Sequence, residues 1–419
     1  MKISIPYGRS GIDLEVPDDA LVIEPCFVPG IHDEAEAARH ALQKPISAPR
    51  LRDLALRGSR IAIVINDITR PTPSHRLVPW ILEELDFIPL EDFIIINGTG
   101  SHRANTPEEL TMMLGRGVTD SVKVINHDAT DHPGMKHLGR TGSGTEVWLN
   151  REYCDADLRV VTGFIEPHFF AGFSGGPKGV MPAVAGIETI MGFHRPELIS
   201  NPGSTWGMLQ GNPLQEEAVE IAMMRPPEFL LNVTMNVRNE ITGFYAGDML
   251  AAHRRGAQEV RKQSMIRCEG YCDIVVTSNS GYPLDQNLYQ CVKGFSAACQ
   301  IVRPGGAILC CAECSDGIPG HGNFSKILGM RDTPRELLDM IMEPSFSMQD
   351  QWQVQKLAMI QEVAHLHLCS GLEDNAVKGA GIVPWKCPDD ALKALLGQYG
   401  REARVCVLPD GPLSIPFLR

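Results

Sequence analysis

The chain has 419 residues and a formal net charge of −13, from 38 lysines and arginines against 51 aspartates and glutamates. Hydrophobic residues make up 43% and charged residues 21%, which is an ordinary composition for a globular protein of two to three domains. The negative charge argues against nucleic acid as a partner. No apolar run approaches the roughly 18 residues of a membrane-spanning helix, so no membrane association is expected.

Twelve cysteines are scattered from Cys26 to Cys406, without the spacing of a small disulfide-rich domain. A chain of this length buries a core without disulfides, so we expect reduced thiols and a cytoplasmic protein. The N-terminal residues show no secretory signal and predict a short strand. Two clusters adjoin apolar strands: Cys268 and Cys272, and Cys310, Cys311 and Cys314. We predict buried structural cysteines there, with a zinc or iron–sulfur site as the alternative.

Short apolar runs rich in β-branched residues recur along the chain, and most are followed by Gly-rich or polar residues. Such runs are expected for parallel strands that are covered on both faces. We predict strands at 61–65, 93–96, 158–161, 273–276, 307–310 and 405–408. We predict helices at about 74–86, 107–115, 214–224, 249–264, 286–302, 334–342, 350–366 and 389–399. This alternation predicts an α/β fold with mainly parallel sheets.

We predict two domains, residues 1–268 and 269–419, because a charged helix over 249–264 ends shortly before a new strand begins. In parallel sheets, ligands collect beyond the carboxyl ends of the strands. Nearly every unusual polar motif of this chain follows a predicted strand. That shared placement points to a binding site more strongly than any single motif does.

The first motif, DITRPTP at 67–73, follows the strand predicted at 61–65. Its two prolines stiffen the loop. Arg70 offers a planar, bidentate group for a carboxylate or a phosphate. The alternative is a structural pair between Asp67 and Arg70 that holds the turn.

The second motif, GTGSHR at 98–103, follows the strand predicted at 93–96. Gly98 and Gly100 allow backbone N–H groups to approach an anion. His102 is a candidate general acid or base near neutral pH. A structural hydrogen bond is the alternative role for this histidine.

The densest motif combines GFIEPH at 163–168 with AGFSGGPKG at 171–179. It superficially resembles a phosphate-binding loop, but a proline interrupts the Walker pattern just before Lys178. A lysine among glycines can bind phosphate or serve as a covalent tether. His168 and His194 are too far apart in sequence for a helical zinc pair.

Farther along, Tyr289, Gln290 and Lys293 are neighbours on a predicted helix and together can hold an oxyanion with three different donors. The alternative is a solvated helix face. Trp352 either contacts a ligand or packs on its own helix. Likewise, Phe169, Phe170 and Phe173 either line an apolar pocket or pack at a domain interface.

The ordered series DxTRPTP, GTGxHR, GFIEPHxxAGxSGGxK and YQxxK, followed by a QW pair, resembles the nickel-pincer lactate racemase family. That family also includes homologues that act on other 2-hydroxy acids. The resemblance runs from about residue 60 to residue 360. It implies two α/β domains with an active site in the cleft between them, and a racemase or epimerase of a small 2-hydroxy acid.

The resemblance also implies a nickel cofactor, pyridinium-3-thioamide-5-thiocarboxylic acid mononucleotide, called the nickel-pincer nucleotide. Lys178 matches the lysine that forms the thioamide link, and His194 matches the histidine that ligates nickel. His102 and His168 match the family's acid–base pair. The cofactor-binding positions are then Lys178, Asp67, Thr69, Gly98, Gly100 and Trp352. The substrate-binding positions are Arg70, Tyr289, Gln290 and Lys293.

In that family, hydride leaves the substrate Cα for the pyridinium ring and returns to the other face of a planar keto acid. Enzymes that synthesise the cofactor and insert nickel are then required partners, because the cofactor cannot assemble itself. One departure from the family pattern is Ala183, which stands where a glycine is expected.

Two other functions remain open on the residues alone. One is a hydrolase or lyase that uses His102 and His168 around a simple divalent metal. The other is a non-catalytic protein that binds a nucleotide or a hydroxy acid. The identity of the hydroxy acid, the choice between racemase and epimerase, and the oligomeric state are open as well.

Overall fold

The computed structural model describes residues 1–320, 322–400 and 402–418, and no helix among them is long and apolar enough to cross a membrane. The strands are β1 (Lys2–Ile5), β2 (Ile12–Glu15), β3 (Leu21–Val22), β4 (Ile61–Asn66), β5 (Phe93–Gly98), β6 (Lys123–Asn126), β7 (Met135–Arg140), β8 (Glu146–Asn150), β9 (Leu158–Phe164), β10 (Pro167–His168), β11 (Gly172–Phe173), β12 (Phe229–Met235), β13 (Ile241–Gly247), β14 (Met265–Arg267), β15 (Cys272–Ser278), β16 (Val302–Cys311), β17 (His365–Cys369), β18 (Val383–Trp385), β19 (Val405–Leu408) and β20 (Ile415–Phe417).

The helices are α1 (Glu34–Gln43), α2 (Leu51–Leu54), α3 (Ser74–Glu84), α4 (Pro107–Leu114), α5 (Arg116–Thr119), α6 (Arg151–Asp155), α7 (Ile187–Phe193), α8 (Pro196–Ser200), α9 (Pro213–Met224), α10 (Met249–Ser264), α11 (Leu288–Ala298), α12 (Phe324–Leu328), α13 (Pro334–Met342), α14 (Gln351–Gln361), α15 (Asp374–Gly379) and α16 (Pro388–Tyr399). These elements form two compact α/β units. The first unit comprises residues 27–194 and 203–261. The second unit comprises residues 1–26, 195–202 and 262–419.

The first unit is built on a six-stranded sheet with the strand order β13-β12-β9-β4-β5-β6. Neighbouring strands are parallel except for the edge pair β12 and β13, which is antiparallel. The central strand β4 buries five successive residues, as expected for a strand that is covered on both faces. On one face, Ile63 and Ile95 share a core with Leu77 of α3.

The second unit is built on another six-stranded sheet, with the order β18-β17-β16-β15-β19-β3, and all its neighbouring strands are parallel. Helix α11 follows β15 and packs on both β15 and β16. The core on one face of this sheet contains Ile274, Leu309 and Leu392. The predicted α/β fold with mainly parallel sheets is therefore confirmed.

The structure divides the chain differently from the boundary predicted between residues 268 and 269. The N-terminal segment belongs with the second unit, because β3 pairs in parallel with β19 and completes one edge of the second sheet. The hairpin of β1 and β2 also buries Ile5 and Leu14 in the core of this unit. Such long-range pairing leaves no signal in local composition, so the sequence analysis did not find it.

Each predicted strand and helix overlaps an element of the same type, but many further elements were not predicted, and one predicted helix is too long. The antiparallel strands β12 and β13 lie in a stretch where no strand was predicted. The helix predicted over 350–366 ends at Gln361, and the chain then forms β17 from His365 to Cys369. Turn residues are few between α14 and β17, which explains the late predicted end.

We expect the substitution Leu14→Ala to lower the free energy of unfolding by about 2–5 kcal/mol, because Leu14 is fully buried. The lost stability should appear in the second unit. Hydrogen exchange read by mass spectrometry should therefore accelerate in peptides from β15 and β16 and stay unchanged in peptides from β4 and β5. Faster exchange confined to β4 and β5 would contradict this assignment of the N-terminal segment.

Candidate active site

The carboxyl ends of β4, β5 and β9 lie side by side in the first unit, because β4 pairs in parallel with both other strands. Nine predicted site residues follow these three ends: Asp67, Thr69 and Arg70 after β4; Gly98, Gly100 and His102 at or after the end of β5; and His168, Lys178 and His194 after β9. Sheet topology therefore brings three segments that are distant in sequence to one edge.

Asp67 and His102 form a hydrogen-bonded pair at this edge, with 2.6 Å between the Asp67 Oδ2 and the His102 Nδ1. Burial raises the pKa of the Asp67 carboxyl, but the adjacent His102 and Arg70 together lower it by more than burial raises it. The net shift of the pKa is therefore downward. Because an ionised carboxylate only accepts hydrogen bonds, Nδ1 of His102 carries the proton. The neutral ring then has an unprotonated Nε2, which is the form of a general base.

The second carboxylate oxygen of Asp67 is held by Thr69. The Thr69 hydroxyl donates to Asp67 Oδ1 over 2.6 Å, and the Thr69 backbone N–H donates to the same oxygen over 3.2 Å. Arg70 Nη1 donates to the Thr69 hydroxyl oxygen at 3.1 Å, and no ion pair joins Arg70 directly to Asp67 among the described residues. The loop is therefore organised through Thr69, not through the Asp67–Arg70 pair considered from the sequence.

The turn after β5 packs closely on the segment that follows Lys178. A Cβ atom at Gly98 would lie 2.8 Å from the Cβ of Ala183, so a larger residue at position 98 would collide with it. Gly100 adopts a φ of +57°, and its N–H donates to the Ala183 carbonyl over 3.1 Å. Ala183 itself has no positive φ, so alanine fits this position without backbone strain.

His168 is buried in a short hairpin of β10 and β11. Its Nδ1 faces the backbone N–H groups of Phe170 and Ala171, at 3.5 Å and 3.3 Å. These long contacts favour an unprotonated Nδ1, so the neutral ring carries its proton on Nε2. In their neutral forms, His168 and His102 therefore favour opposite tautomers.

Lys178 lies in a 3-10 helix, Gly176–Gly179, that begins after a tight glycine turn. Gly175 and Gly176 have φ values of +74° and +54°. The Gly176 N–H donates to Asn232 Oδ1 over 2.8 Å, and a Cβ atom on Gly176 would lie 2.4 Å from the His253 ring. The glycines are therefore needed for the turn and for its close packing, which explains the superficial likeness to a phosphate-binding loop.

Burial and then the positive charge of Arg70 lower the pKa of Lys178 from 10.5 to about 7. Near neutral pH, a substantial fraction of this amine is therefore unprotonated and nucleophilic. Burial and then Lys178 also lower the pKa of His194 from 6.5 to about 3, so this imidazole is neutral. Its Nδ1 lies 2.9 Å from the Ile190 carbonyl, which leaves Nε2 as the unprotonated nitrogen, the form that ligates a metal.

Phe170 contacts three of these groups. Its ring lies edge-on to the His168 and His194 rings, with centroid distances of 4.5 Å and 5.6 Å. The Lys178 Nζ lies 5.7 Å from the centroid of the same ring. Phe169 packs behind Phe170 at 4.4 Å. In this unit, the aromatic pair is thus an apolar wall that holds His168, Lys178 and His194 close together.

The second unit carries the remaining predicted residues on α11 and α14. Trp352 Nε1 donates to the Tyr289 hydroxyl over 3.2 Å, and Gln353 Nε2 donates to the Tyr289 carbonyl over 2.5 Å. Gln290 is buried, whereas Lys293, one helical turn after Tyr289, is partly exposed. The packing of α11 on α14 therefore brings Trp352 to Tyr289, one of the three predicted residues on α11.

The two cysteine clusters are buried, as predicted for structural cysteines. The sequence analysis missed the bond between Asp67 and His102 and the position of Phe170 beside three site residues. The spacing of 35 residues between Asp67 and His102 gives no local signal for that pair. Only the parallel pairing of β4 with β5 makes them neighbours.

These observations define a two-unit α/β protein with a histidine pair and a partly buried lysine at the carboxyl edge of a mainly parallel sheet. Residues 7–207 match the family described as lactate racemase N-terminal domain, and residues 268–415 match lactate racemase C-terminal domain. The chain therefore belongs to the lactate racemase family.

Full-length relatives support this assignment. The lactate racemase of Lactiplantibacillus plantarum is 35% identical over 98% of both chains. That of Thermoanaerobacterium thermosaccharolyticum is 33% identical over 98% of this chain and 97% of the relative. The solved lactate racemase apoprotein from the latter organism covers 99% of this chain and 100% of its own, with a TM-score of 0.91 and 32% identity. A Thermotoga maritima protein shares the fold alone, with a TM-score of 0.74 and 17% identity.

Chemical labelling tests the electrostatics of Lys178. In the protein without cofactor, acylation of Lys178 by a small neutral reagent should rise with a midpoint near pH 7. It should level off about two pH units higher, where the amine is almost fully deprotonated. Exposed lysines should keep gaining reactivity up to about pH 10. The variant Arg70→Gln should move the Lys178 midpoint upward. Peptide mass spectrometry measures both, and a Lys178 midpoint near 10 would contradict the account.

Proposed function

We propose that this chain is a racemase or epimerase of a 2-hydroxy carboxylic acid, with lactate as the first substrate to test. The observation that carries the proposal is the pair of histidines in opposite tautomers, His102 and His168, at one sheet edge with Arg70 and Lys178. Inversion of a stereocentre requires proton exchange on two faces of a substrate, which two such groups can supply. The lactate racemases among the relatives suggest the substrate class.

The residues fit the nickel-pincer nucleotide that the family resemblance implies. The Lys178 amine, with its pKa of about 7, suits the covalent thioamide link. The neutral His194, with Nδ1 at hydrogen-bond distance from a backbone carbonyl, suits a nickel ligand. The charge of Lys178 also lowers the pKa of His194, which means that the two side chains lie near each other. Such proximity is expected if Lys178 tethers the cofactor and His194 ligates its nickel.

Other residues would hold the mononucleotide around these two anchors. Asp67, Thr69, Gly98 and Gly100 belong to turns at the same sheet edge as Lys178. On the second unit, the indole of Trp352 is oriented by its hydrogen bond to Tyr289 and offers a flat apolar face. We propose these five residues as cofactor contacts in addition to Lys178.

The bound cofactor would supply the acceptor and donor of the Cα hydride. The chain's own residues would move the hydroxyl proton. For one enantiomer, Nε2 of His102 would take that proton, while Asp67 stabilises the resulting imidazolium. A protonated His168 would return a proton to the keto oxygen and finish as the neutral ring. The opposite enantiomer would react with the two histidines in the exchanged protonation states, so the number of protons on the pair stays constant.

The carboxylate of the substrate needs cations, because the protein as a whole is negatively charged. We propose Arg70 for a bidentate grip, with Lys293 as a second cation and Tyr289 and Gln290 as neutral donors. If the substrate is held by its carboxylate, the planar keto acid can turn its other face to the reacting groups without leaving the site. The apolar ring of Phe170 beside His168 would exclude water from the reacting centre.

Cofactor-synthesis and nickel-insertion enzymes are proposed partners, since the tethered nickel group must be made elsewhere. The proposed cytoplasmic location is supported by the twelve unpaired cysteines, which suit a reducing compartment.

Expression with and without these maturation enzymes tests the proposal. The loaded protein should carry a mass adduct on Lys178 and about one nickel per chain, and should destroy the optical purity of lactate or a related 2-hydroxy acid. The variant Lys178→Arg keeps a cation but cannot form the link, so it should lack both adduct and activity. Racemisation at a normal rate by unloaded protein would overturn the cofactor proposal. Loaded protein that binds hydroxy acids without turnover would favour a binding function.

The role of Asp67 gives a second test. Asp67→Asn removes the charge that orients His102, so kcat should fall about 10- to 100-fold while nickel content stays unchanged. Asp155→Asn removes a carboxylate of the same unit that pairs with Lys136 and with no proposed site residue, and serves as the control. An unchanged kcat in Asp67→Asn would contradict the proposed base.

A further inference from the structure

Asn105 lies three residues after His102, at the junction between the His102 turn and α4. It is almost fully buried, at 4% exposed, and was not singled out by any sequence motif. Because a buried amide must find partners for its oxygen and its nitrogen, its hydrogen bonds show which segments it joins.

The side-chain oxygen of Asn105 joins the two loops that carry Asp67 and His102. Asn105 Oδ1 accepts from the Ile68 backbone N–H over 3.2 Å, and this N–H belongs to the peptide that directly follows Asp67. The same oxygen accepts from Asn97 Nδ2 over 2.8 Å, inside β5. One atom therefore fixes the first peptide after Asp67 against the strand that leads into the His102 turn.

The other polar groups of Asn105 anchor it to the framework. Its Nδ2 donates to Glu109 Oε2 over 3.0 Å, and Glu109 also forms a two-pronged ion pair with Arg103. The Asn105 backbone N–H donates to Asn126 Oδ1 over 3.0 Å, and its carbonyl accepts from Asn126 Nδ2 over 2.9 Å. Asn105 is thus tied to both α4 and β6.

We propose that Asn105 is a positioning residue, which holds the Asp67 loop and the His102 turn in register so that carboxylate and imidazole meet. Asp67 and His102 lie on separate turns, and their 2.6 Å contact requires both turns to keep one relative position. Among the described residues, the Asn105 side chain is a direct bridge between the two turns. The expected effect of Asn105 on kcat rests on the proposed function, whereas its expected effect on the His102 tautomer does not.

The first test uses unloaded protein and long-range proton–nitrogen NMR of labelled histidines, with His102→Gln to assign the signal. In the unaltered chain, neutral His102 should carry its proton on Nδ1. In Asn105→Ala, or in Asn105→Ser if the alanine variant does not fold, the Nε2-protonated form should become the major tautomer. An unchanged His102 tautomer in either folded variant would overturn the proposal.

A charge-neutral swap provides the rescue. Asn105→Asp combined with Glu109→Gln keeps the Oδ1 acceptor for Ile68 and Asn97, and reverses the donor and acceptor of the 105–109 bond. This double variant should restore the tautomer of the unaltered chain. Failure of the folded double variant to restore it would count against the proposed bridge.

The control is Asn236→Ala. Asn236 accepts from two backbone N–H groups and donates to Val28 and Glu240 in the turn between β12 and β13. Alanine there removes four side-chain hydrogen bonds, against three at Asn105. It should lower thermal stability in the same way as Asn105→Ala and leave the His102 tautomer unchanged. A change of the His102 tautomer in this control would indicate a general loss of structure instead of a specific bridge.

Kinetics separate the two proposals. In loaded protein, Asn105→Ala should lower kcat about 10- to 100-fold with little change in KM. In an Asp67→Asn background, the same substitution should have almost no further effect, because the bond it supports is already lost. Absence of racemisation in the unaltered loaded chain would refute the proposed function, while the NMR result would still decide the role of Asn105. If the losses in kcat caused by Asn105→Ala and Asp67→Asn multiply in the double variant, the positioning role of Asn105 is wrong.

Discussion

The parallel pairing of β4 with both β5 and β9 is the constraint on which the candidate site depends. It places Asp67 beside His102, although 35 residues separate them, and it brings the segment that carries Lys178 to the same edge. Strands that are buried on both faces can occupy the middle of such a sheet only if nearly every residue is apolar. The polar chemistry is therefore confined to the loops at the strand ends, where the rigid sheet fixes its geometry.

Burial gives these loops their electrostatic character. The same low-polarity surroundings that lower the pKa of Lys178 to about 7 also keep His194 neutral, so a nucleophilic amine and a neutral imidazole coexist near neutral pH. Asp67 stays ionised only because His102, Arg70 and Thr69 interact with it. The ionised Asp67 thus lies at the same sheet edge as a neutral His194 and an only partly charged Lys178.

Much of this arrangement could be predicted from the sequence. Apolar runs revealed the main parallel strands, and the motifs after them contained candidate site residues. Local pattern could not show that β3 joins the second sheet, since a two-residue strand has no periodicity. Nor could it show the tautomers of His102 and His168, which depend on hydrogen-bond partners that only the fold supplies. Asn105 escaped notice because a single asparagine before a helix cap is an ordinary feature.

Racemisation in heavy water tests the central claim most directly. Loaded protein would be incubated with one pure enantiomer of a 2-hydroxy acid in D₂O, and the product analysed by chiral chromatography and NMR. The account predicts loss of optical purity with the original hydrogen retained at Cα. In the proposed mechanism, the hydride would leave and return without exchange, while the histidines would move only the hydroxyl proton. Deuterium at Cα would contradict it, as would retained optical purity in protein that carries nickel and a modified Lys178.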